Sequence, residues 1–320
     1  MISLQSIRVV FIALACAAGM ASAQTFPTRP ITLYVPFVPG PTDTAARKVA
    51  EVASRQLGQP IVIENKPGAG GTLAPVLMAR NGKPDGYLLA LIPSSLFRFP
   101  YMQKVDWDPI RDFTFISGMT SDDMSIQVAM DSQFKVFGDV VQWAKANPGR
   151  LTYGTPGVGT SMHLLVETAA AELGIQVVQV PYKGASELVR ALITNETMIT
   201  SDTAGAILPQ VQAGKARYLV QFGEKRAGWM REVPTARELG LNMVYTVAVG
   251  IAGPRDLPDA IVQRLSDAFR KALEDPDTVK LFDTLKKDPW LIGPAAYTTW
   301  AKTTVEQERK MVERAGLMVK

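Results

Sequence analysis

The sequence predicts an α/β fold in which two discontinuous domains are joined by two crossover strands. Three observations predict it. Short apolar runs alternate with amphipathic ones through most of the chain, the pattern of strands and helices layered around largely parallel sheets. Past Pro254 only helical periodicity remains, and helices without a sheet of their own must pack on one built elsewhere, here by the start of the chain. The length, 320 residues, exceeds one ordinary domain and fits two.

The first 23 residues stand apart as a secretory signal. Arg8 supplies the positive charge, residues 9–18 the apolar core, and Ala21-Ser22-Ala23 the small-residue cleavage site. Ten apolar residues are too few to span a bilayer, which takes roughly twenty. Cys16 is the only cysteine and leaves with this segment, so no disulfide or thiolate chemistry is expected. Ala13-Leu14-Ala15 ahead of it is a poor match to a lipidation site.

The remaining elements follow in order. Residues 31–37 form an apolar strand, and a short loop leads into an amphipathic helix. A strand at 61–63 passes through Pro67-Gly68-Ala69-Gly70-Gly71 into a helix over 72–79, and 88–92 is a further strand. After 113–119 the chain crosses into the second unit, with a strand at 125–130 and a helix at 140–146 stopped by Asn147-Pro148-Gly149. A strand at 151–153, a helix at 161–173, a strand at 177–180, a helix at 185–193 and a strand near 198–200 continue the alternation. A helix at 206–212 and a strand at 218–222 complete it, and 244–252 is one long apolar run that crosses back. Helices over 258–273, 277–285 and 295–314 close the chain. In the first of these Ile261, Leu265 and Phe269 form a core-facing stripe, and Gly316 is the C-cap of the last. The expected division is residues 1–23 as signal peptide, 24–120 with 250–320 as the first lobe, and 121–249 as the second. Two crossovers between discontinuous halves make a hinge rather than a flexible linker.

Two stretches share one design. Residues 31–37 run into Val38-Pro39-Gly40-Pro41-Thr42-Asp43, and residues 151–153 into Gly154-Thr155-Pro156-Gly157-Val158-Gly159-Thr160-Ser161. Each reads as strand, tight loop and helix, with Thr or Ser where an N-cap belongs, so unpaired backbone N–H groups point out of each loop. Such helix starts hold anions. Two of them facing one cleft would grip a small carboxylate from both sides. The net charge of +4, or +3 without Arg8, would help draw an anion in. The Lys and Arg are scattered, with no basic run interleaved with aromatics, which argues against a nucleic-acid partner.

Val35-Pro36-Phe37 with Pro39-Gly40, Thr42-Asp43 and Ala46-Arg47 resembles the first signature of the Bug/TctC family, the extracytoplasmic solute receptors of tripartite tricarboxylate transporters. The resemblance continues in order through Asn65-Lys66-Pro67-Gly68-Ala69-Gly70-Gly71, Pro84-Asp85-Gly86-Tyr87, Tyr153-Gly154, Gly159-Thr160-Ser161 with His163-Leu164, Val180-Pro181-Tyr182-Lys183-Gly184, and Val233-Pro234-Thr235 with Glu238-Leu239-Gly240. It implies a two-lobed periplasmic binding protein of the flytrap type. Such a receptor captures a di- or tricarboxylate, an amino acid or an aromatic acid through backbone N–H groups and small hydroxyls, and delivers it to membrane subunits of the transporter. Carried over by position, the first lobe offers Phe37, Pro39, Gly40, Thr42, Asp43, Ser94 and Ser95, and the second Thr155, Gly159, Thr160, Ser161, His163 and Asp202. The first loop departs from the family pattern: it has one glycine where two are usual, is a residue shorter, and carries Pro41, which donates no N–H. Ala74 stands where glycine is common, and Asn195 replaces a turn glycine whose left-handed conformation Asn tolerates.

These residues admit other readings. Gly68-Ala69-Gly70-Gly71 looks like part of a dinucleotide fingerprint, but Leu73 occupies its last glycine position, which favours a structural helix start. A secreted hydrolase using Ser161 and His163 is the alternative from another class. Side chains at i and i+2 on a helix point apart, however, and the final glycine of a nucleophile elbow is missing. A receptor that presents its ligand to a membrane sensor is a further alternative. Asp43 is expected to brace its own loop, Asp202 to sit at the carboxyl end of a strand where open α/β sheets bind ligands, and Lys183 to lie on the rim. Phe37 is the candidate apolar wall, Phe97 and Phe99 suit core or pocket, and Trp229-Met230-Arg231 reads as a solvated loop. One histidine and no Asp-rich calcium loop leave no metal site. No cofactor is expected, and the receptor is expected to act as a monomer.

Overall fold

A computed structural model describes residues 26–319, and the signal segment expected at 1–23, with Cys16, lies outside them. Ile31–Val35 (β1) buries alternate residues, Ile31, Leu33 and Val35. Pro41–Leu57 (α1) buries Ala45, Ala46, Val49, Ala53 and Leu57 on one helical stripe and stops at Gly58, whose φ of 74° is left-handed. Ile61–Asn65 (β2), Leu73–Asn81 (α2), Leu88–Pro93 (β3) and Ser95–Met102 (α3) follow. Phe97 and Phe99, left open between core and pocket, are both buried in α3.

Phe113–Ala129 (β4) is one strand of 17 residues where sequence periodicity predicts two. The polar stretch Ser117-Gly118 and Thr120-Ser121-Asp122-Asp123 interrupts the apolar pattern, yet most of it is buried. Gly118, for example, packs directly under the backbone of Trp290. Next come Phe137–Ala146 (α4), Leu151–Thr155 (β5), Ser161–Leu173 (α5), Val177–Pro181 (β6), Ala185–Ile193 (α6), Ile199–Thr203 (β7), Ala204–Gln212 (α7) and Ala216–Gln221 (β8). Met230 is 4% exposed and its carbonyl accepts from Gln221 Nε2 at 3.0 Å, so the solvated loop expected there is anchored at its centre. The chain returns through Thr246–Pro254 (β9) and ends in Asp259–Glu274 (α8), Pro276–Leu285 (α9), the two-residue strand Asp288–Pro289 (β10) and Pro294–Arg314 (α10).

Pairing explains the two lobes. β1 lies between β2 and β3, parallel to both, and β3 pairs antiparallel with β9. On the other side β5 lies between β6 and β7, again parallel. β4 serves both sets: its residues from Phe113 to Asp123 pair with β9, and from Met124 onward it pairs with β7 and β8. The two-lobed architecture is therefore continuous through one long strand and its returning neighbour. The C-terminal helices pack where the sequence predicts, α8 and α9 on α1 and α10 on α3 and β4. Phe97, Phe115, Trp290, Tyr297 and Trp300 form the aromatic seam between α3, β4 and α10, with Trp290 and Trp300 centroids 4.7 Å apart.

Candidate functional site

A cavity of about 470 Å³ lies at the carboxyl ends of β1, β3, β5, β6 and β7, where open α/β sheets bind ligands. The loop at residues 36–42, the loop at 67–71, Pro93 and Ser95 form one wall. Pro156, Gly157, Thr160, Ser161, Met162, the stretch 182–185, Asp202, Thr203 and Ala206 form the other, and Asp122, Val247 and Val249 from the crossover strands contribute between them.

The first helix start differs in detail from the sequence expectation. α1 begins at Pro41 with Gly40 as N-cap, so Thr42 lies inside the first turn instead of capping it. Pro41 occupies the first helical position, where its missing N–H would have had no helical acceptor in any case. Thr44 N–H makes the first helical bond, to Gly40 O at 2.8 Å. The second start matches: Thr160 is the N-cap of α5, accepting from His163 N at 3.4 Å and donating to Gly157 O at 2.8 Å. Among the described residues no acceptor is found for the N–H groups of Thr42, Asp43, Ser161 and Met162. Two further helices start at the cavity, α6 after Gly184 and α7 after Thr203. Their signal in the sequence was a polar or glycine residue directly after a short strand, at Lys183-Gly184 and Asp202-Thr203.

Of the candidate residues, Phe37, Pro39, Gly40, Thr42, Ser95, Thr160, Ser161 and Asp202 line the cavity. Asp43, Ser94, Thr155, Gly159 and His163 stand behind the lining, each with a partner of its own. The Asp43 carboxylate accepts from Arg47 Nε at 2.9 Å and from Asn65 Nδ2 at 2.7 Å, while Asn65 Nδ2 also donates to Phe37 O. Asp43 thus braces the first loop against β2. Ser94 Oγ donates to Ala248 O at 3.3 Å, and Thr155 Oγ1 accepts from Gln179 Nε2 at 2.8 Å. His163 Nδ1 accepts the Gly159 N–H at 3.1 Å. Burial, and then the Arg98 charge, lower its pKa to about 4, which keeps the imidazole neutral and Nδ1 able to accept. Ser161 Oγ takes a hydrogen bond from Arg98 at 3.0 Å, and no bond joins it to His163 among the described residues. The nucleophile and base geometry that a hydrolase requires is not formed here.

Sequence reasoning missed two buried ion pairs beside the site. Arg98 is fully buried: Nε and Nη2 each donate to Glu308 at 2.8 Å, Nη2 also reaches Ser161 Oγ and Tyr245 OH at 3.0 Å, and Nη1 reaches Gly159 O at 3.3 Å. Lys287 Nζ donates to both oxygens of Asp122, at 2.9 and 2.8 Å, and lies 3.4 Å from Thr42 Oγ1. Asp202 belongs to the same neighbourhood. Its Oδ1 accepts the Thr203 N–H at 2.7 Å, while Oδ2 has no partner among the described residues. Burial pushes its pKa up to about 7, against the opposing pull of the Thr203 N–H and Lys287. Among the described residues no cluster of three or more His, Cys, Asp or Glu forms a metal site, and no helix is long and apolar enough to cross a membrane.

Comparison with known proteins agrees with this architecture. Residues 45–317 match the family model described as "Tripartite tricarboxylate transporter family receptor". The Cupriavidus necator "UPF0065 protein in gbd 5'region" is 40% identical over 305 residues, spanning 95% of this chain and 93% of its own. The solved periplasmic binding protein BugD superposes with a TM-score of 0.86 at 26% identity, covering 92% of this chain and 100% of its own. An R. palustris protein solved with adipate gives 0.85 at 26% identity, covering 91% and 98%.

Proposed function

The chain belongs to the receptor family of tripartite tricarboxylate transporters, and from that premise we propose that it is a periplasmic receptor capturing a small organic carboxylate for the membrane subunits of such a transporter. Residues 24–120 with 250–320 act as one lobe and 121–249 as the other, and the mature protein works as a monomer. One observation carries the reading: unaccepted N–H groups at the starts of α1 and α5 border one cavity from two sides. Adipate in the R. palustris neighbour supports a carboxylate as the ligand class. Catalysis by Ser161 and His163 has no support, because Arg98 and Gly159 occupy the atoms that would have to meet.

The energetics are sufficient. A hydrogen bond to a charged group contributes roughly 1.5 to 3 kcal/mol net, and a helix terminus adds about 0.3 to 2. Three or four such donors offset the desolvation of one carboxylate and leave apolar packing against Phe37, Pro39 and Met162 to supply the rest. A micromolar constant requires about 8 kcal/mol in all. Thermal unfolding of the mature protein against a library of carboxylates, sugars and cations tests the reading, since a ligand bound only by the folded state raises the melting temperature. Carboxylates are expected to give the shifts. Shifts from sugars or cations alone would overturn the assignment.

A further inference from the structure

Three charged side chains line the cavity, Asp122, Lys183 and Asp202, and two of them are acids. Lys183 is exposed at the rim. The buried cations nearby are already engaged, Lys287 by both oxygens of Asp122 and Arg98 by Glu308. Among the described residues, therefore, no buried cation stands unengaged for a second ligand carboxylate, and the Lys183 charge is exposed and screened by solvent. Such a group would be desolvated beside the Asp202 carboxylate, so two acids would share one buried site. Prolines, Phe37, Met162, Val247 and Val249 make most of the remaining surface apolar.

Asp202 supplies the complementary observation. It is 4% exposed, it lines the cavity, and among the described residues Oδ2 has no hydrogen-bond partner. A buried acceptor left unmatched is costly, and the atom that would match it is a donor presented from the cavity.

Resting on the carboxylate reading above, we infer that the ligand is a monocarboxylate with an apolar body and a hydrogen-bond donor, hydroxyl or ammonium, at its far end, and that Asp202 reads that donor. The carboxylate lies on the helix-start amides. The donor faces Oδ2, and Lys287 stays with Asp122. Selectivity against dicarboxylates comes from the ionised Asp202 carboxylate, whose Oδ2 accepts from one ligand end and repels the other.

The test is calorimetric titration of the mature protein at pH 8, above the Asp202 pKa of about 7, with acids of four and six carbons that differ only at the far end: methyl, hydroxyl, ammonium or carboxylate. At one or both lengths a hydroxyl- or ammonium-ended acid is expected to bind about tenfold or more tightly than its methyl-ended and dicarboxylate counterparts. The preferred arm identifies the donor. Asp202→Asn keeps the Thr203 contact through its oxygen and turns an NH₂ group toward the ligand. In this variant the dicarboxylate is expected to gain about tenfold and the ammonium-ended acid to lose about as much. A dicarboxylate bound most tightly by the wild type, or a ranking unchanged in Asp202→Asn, overturns the inference and leaves the carboxylate receptor standing. Binding of none of these acids, with shifts from uncharged solutes only, overturns both.

Discussion

Replacing Asp202 by Asn is expected to change how the stability of the ligand-free protein depends on pH. Burial lifts the Asp202 pKa to about 7, so between the ordinary carboxyl range and neutrality the folded protein retains a proton that the unfolded chain releases. Stability from that proton is present at low pH and is lost as pH rises through the folded value. An interval from about 4 to about 7, at about 1.4 kcal/mol per unit, corresponds to roughly 4 kcal/mol, of which about 3 falls between pH 5 and pH 8. Asn has no proton to lose, retains the Thr203 N–H contact and fills the same volume. The other charged or hydroxyl groups that face the site, Asp122, Lys287 and Tyr218, are the same in both proteins. Denaturant titration at the two pH values, without ligand, should show the wild type losing about 3 kcal/mol more than Asp202→Asn on going to pH 8. In thermal unfolding this corresponds to a relative shift of roughly 6 °C for a chain of this length. Parallel pH curves for the two proteins would refute the reasoning, because they would mean that the Asp202 carboxyl is solvated and not closed off beneath the cavity.

Two further substitutions probe the surroundings. Arg98→Met leaves Glu308 buried without its cation and is expected to destabilise the fold by about 3 to 5 kcal/mol in denaturant titration; a loss below about 1 kcal/mol would show that the pair is dispensable. Gly159→Ala places a methyl group against the Phe99 ring at a backbone φ of 74°, which is expected to cost about 1 to 3 kcal/mol and to weaken carboxylate affinity by displacing the α5 start. Calorimetry with the preferred acid checks it, and unchanged affinity would detach that loop from the site.

The legible parts of the site were those whose cause is local. Strand, loop and cap occupy nine consecutive residues at Tyr153 to Ser161, so hydrogen-bonding logic alone locates the start of α5 and its Thr160 cap. Asp202 was legible for the same reason, as an acid at the carboxyl end of a short strand, and it is the penultimate residue of β7, Ile199–Thr203. The first loop was read two residues too long, because Thr42 is a good cap by composition while Gly40 and Pro41 together make a better entry, with glycine at the cap and proline in the first turn. The helix α3 was hidden by Pro100 in its last turn and by an aromatic run, Phe97 to Tyr101, with no polar face to show a period. Arg98 with Glu308 and Lys287 with Asp122 were out of reach for a different reason. The partners lie 210 and 165 positions apart, and Lys286-Lys287-Asp288 looks in isolation like any solvated charge run.

Those distant pairs connect the site to the relation between the lobes. Arg98 belongs to α3 and is held there by Glu308 of α10, both beside the first sheet, while its remaining donors reach Gly159 O and Ser161 Oγ at the start of α5. Val38 meets Gly184 so closely that an added Cβ would lie 2.6 Å from it. Ser161, whose amide borders the cavity, is thus also a residue through which the halves touch. A ligand spanning both helix starts favours this arrangement only by its difference in affinity between closed and open states. The Arg98 contacts to Gly159 O and Ser161 Oγ join the two halves without any ligand. Weakening the contact to Ser161 while keeping Glu308 paired would lower affinity without altering a ligand-contacting atom, because part of the binding energy would then be spent on closure. A second, rigid contribution follows from His163, whose neutral ring fixes the Gly159 N–H away from the ligand. The α5 start therefore presents Ser161 and Met162, and not Gly159, as its available donors, which makes the second lobe's pocket narrower than the loop sequence alone implies.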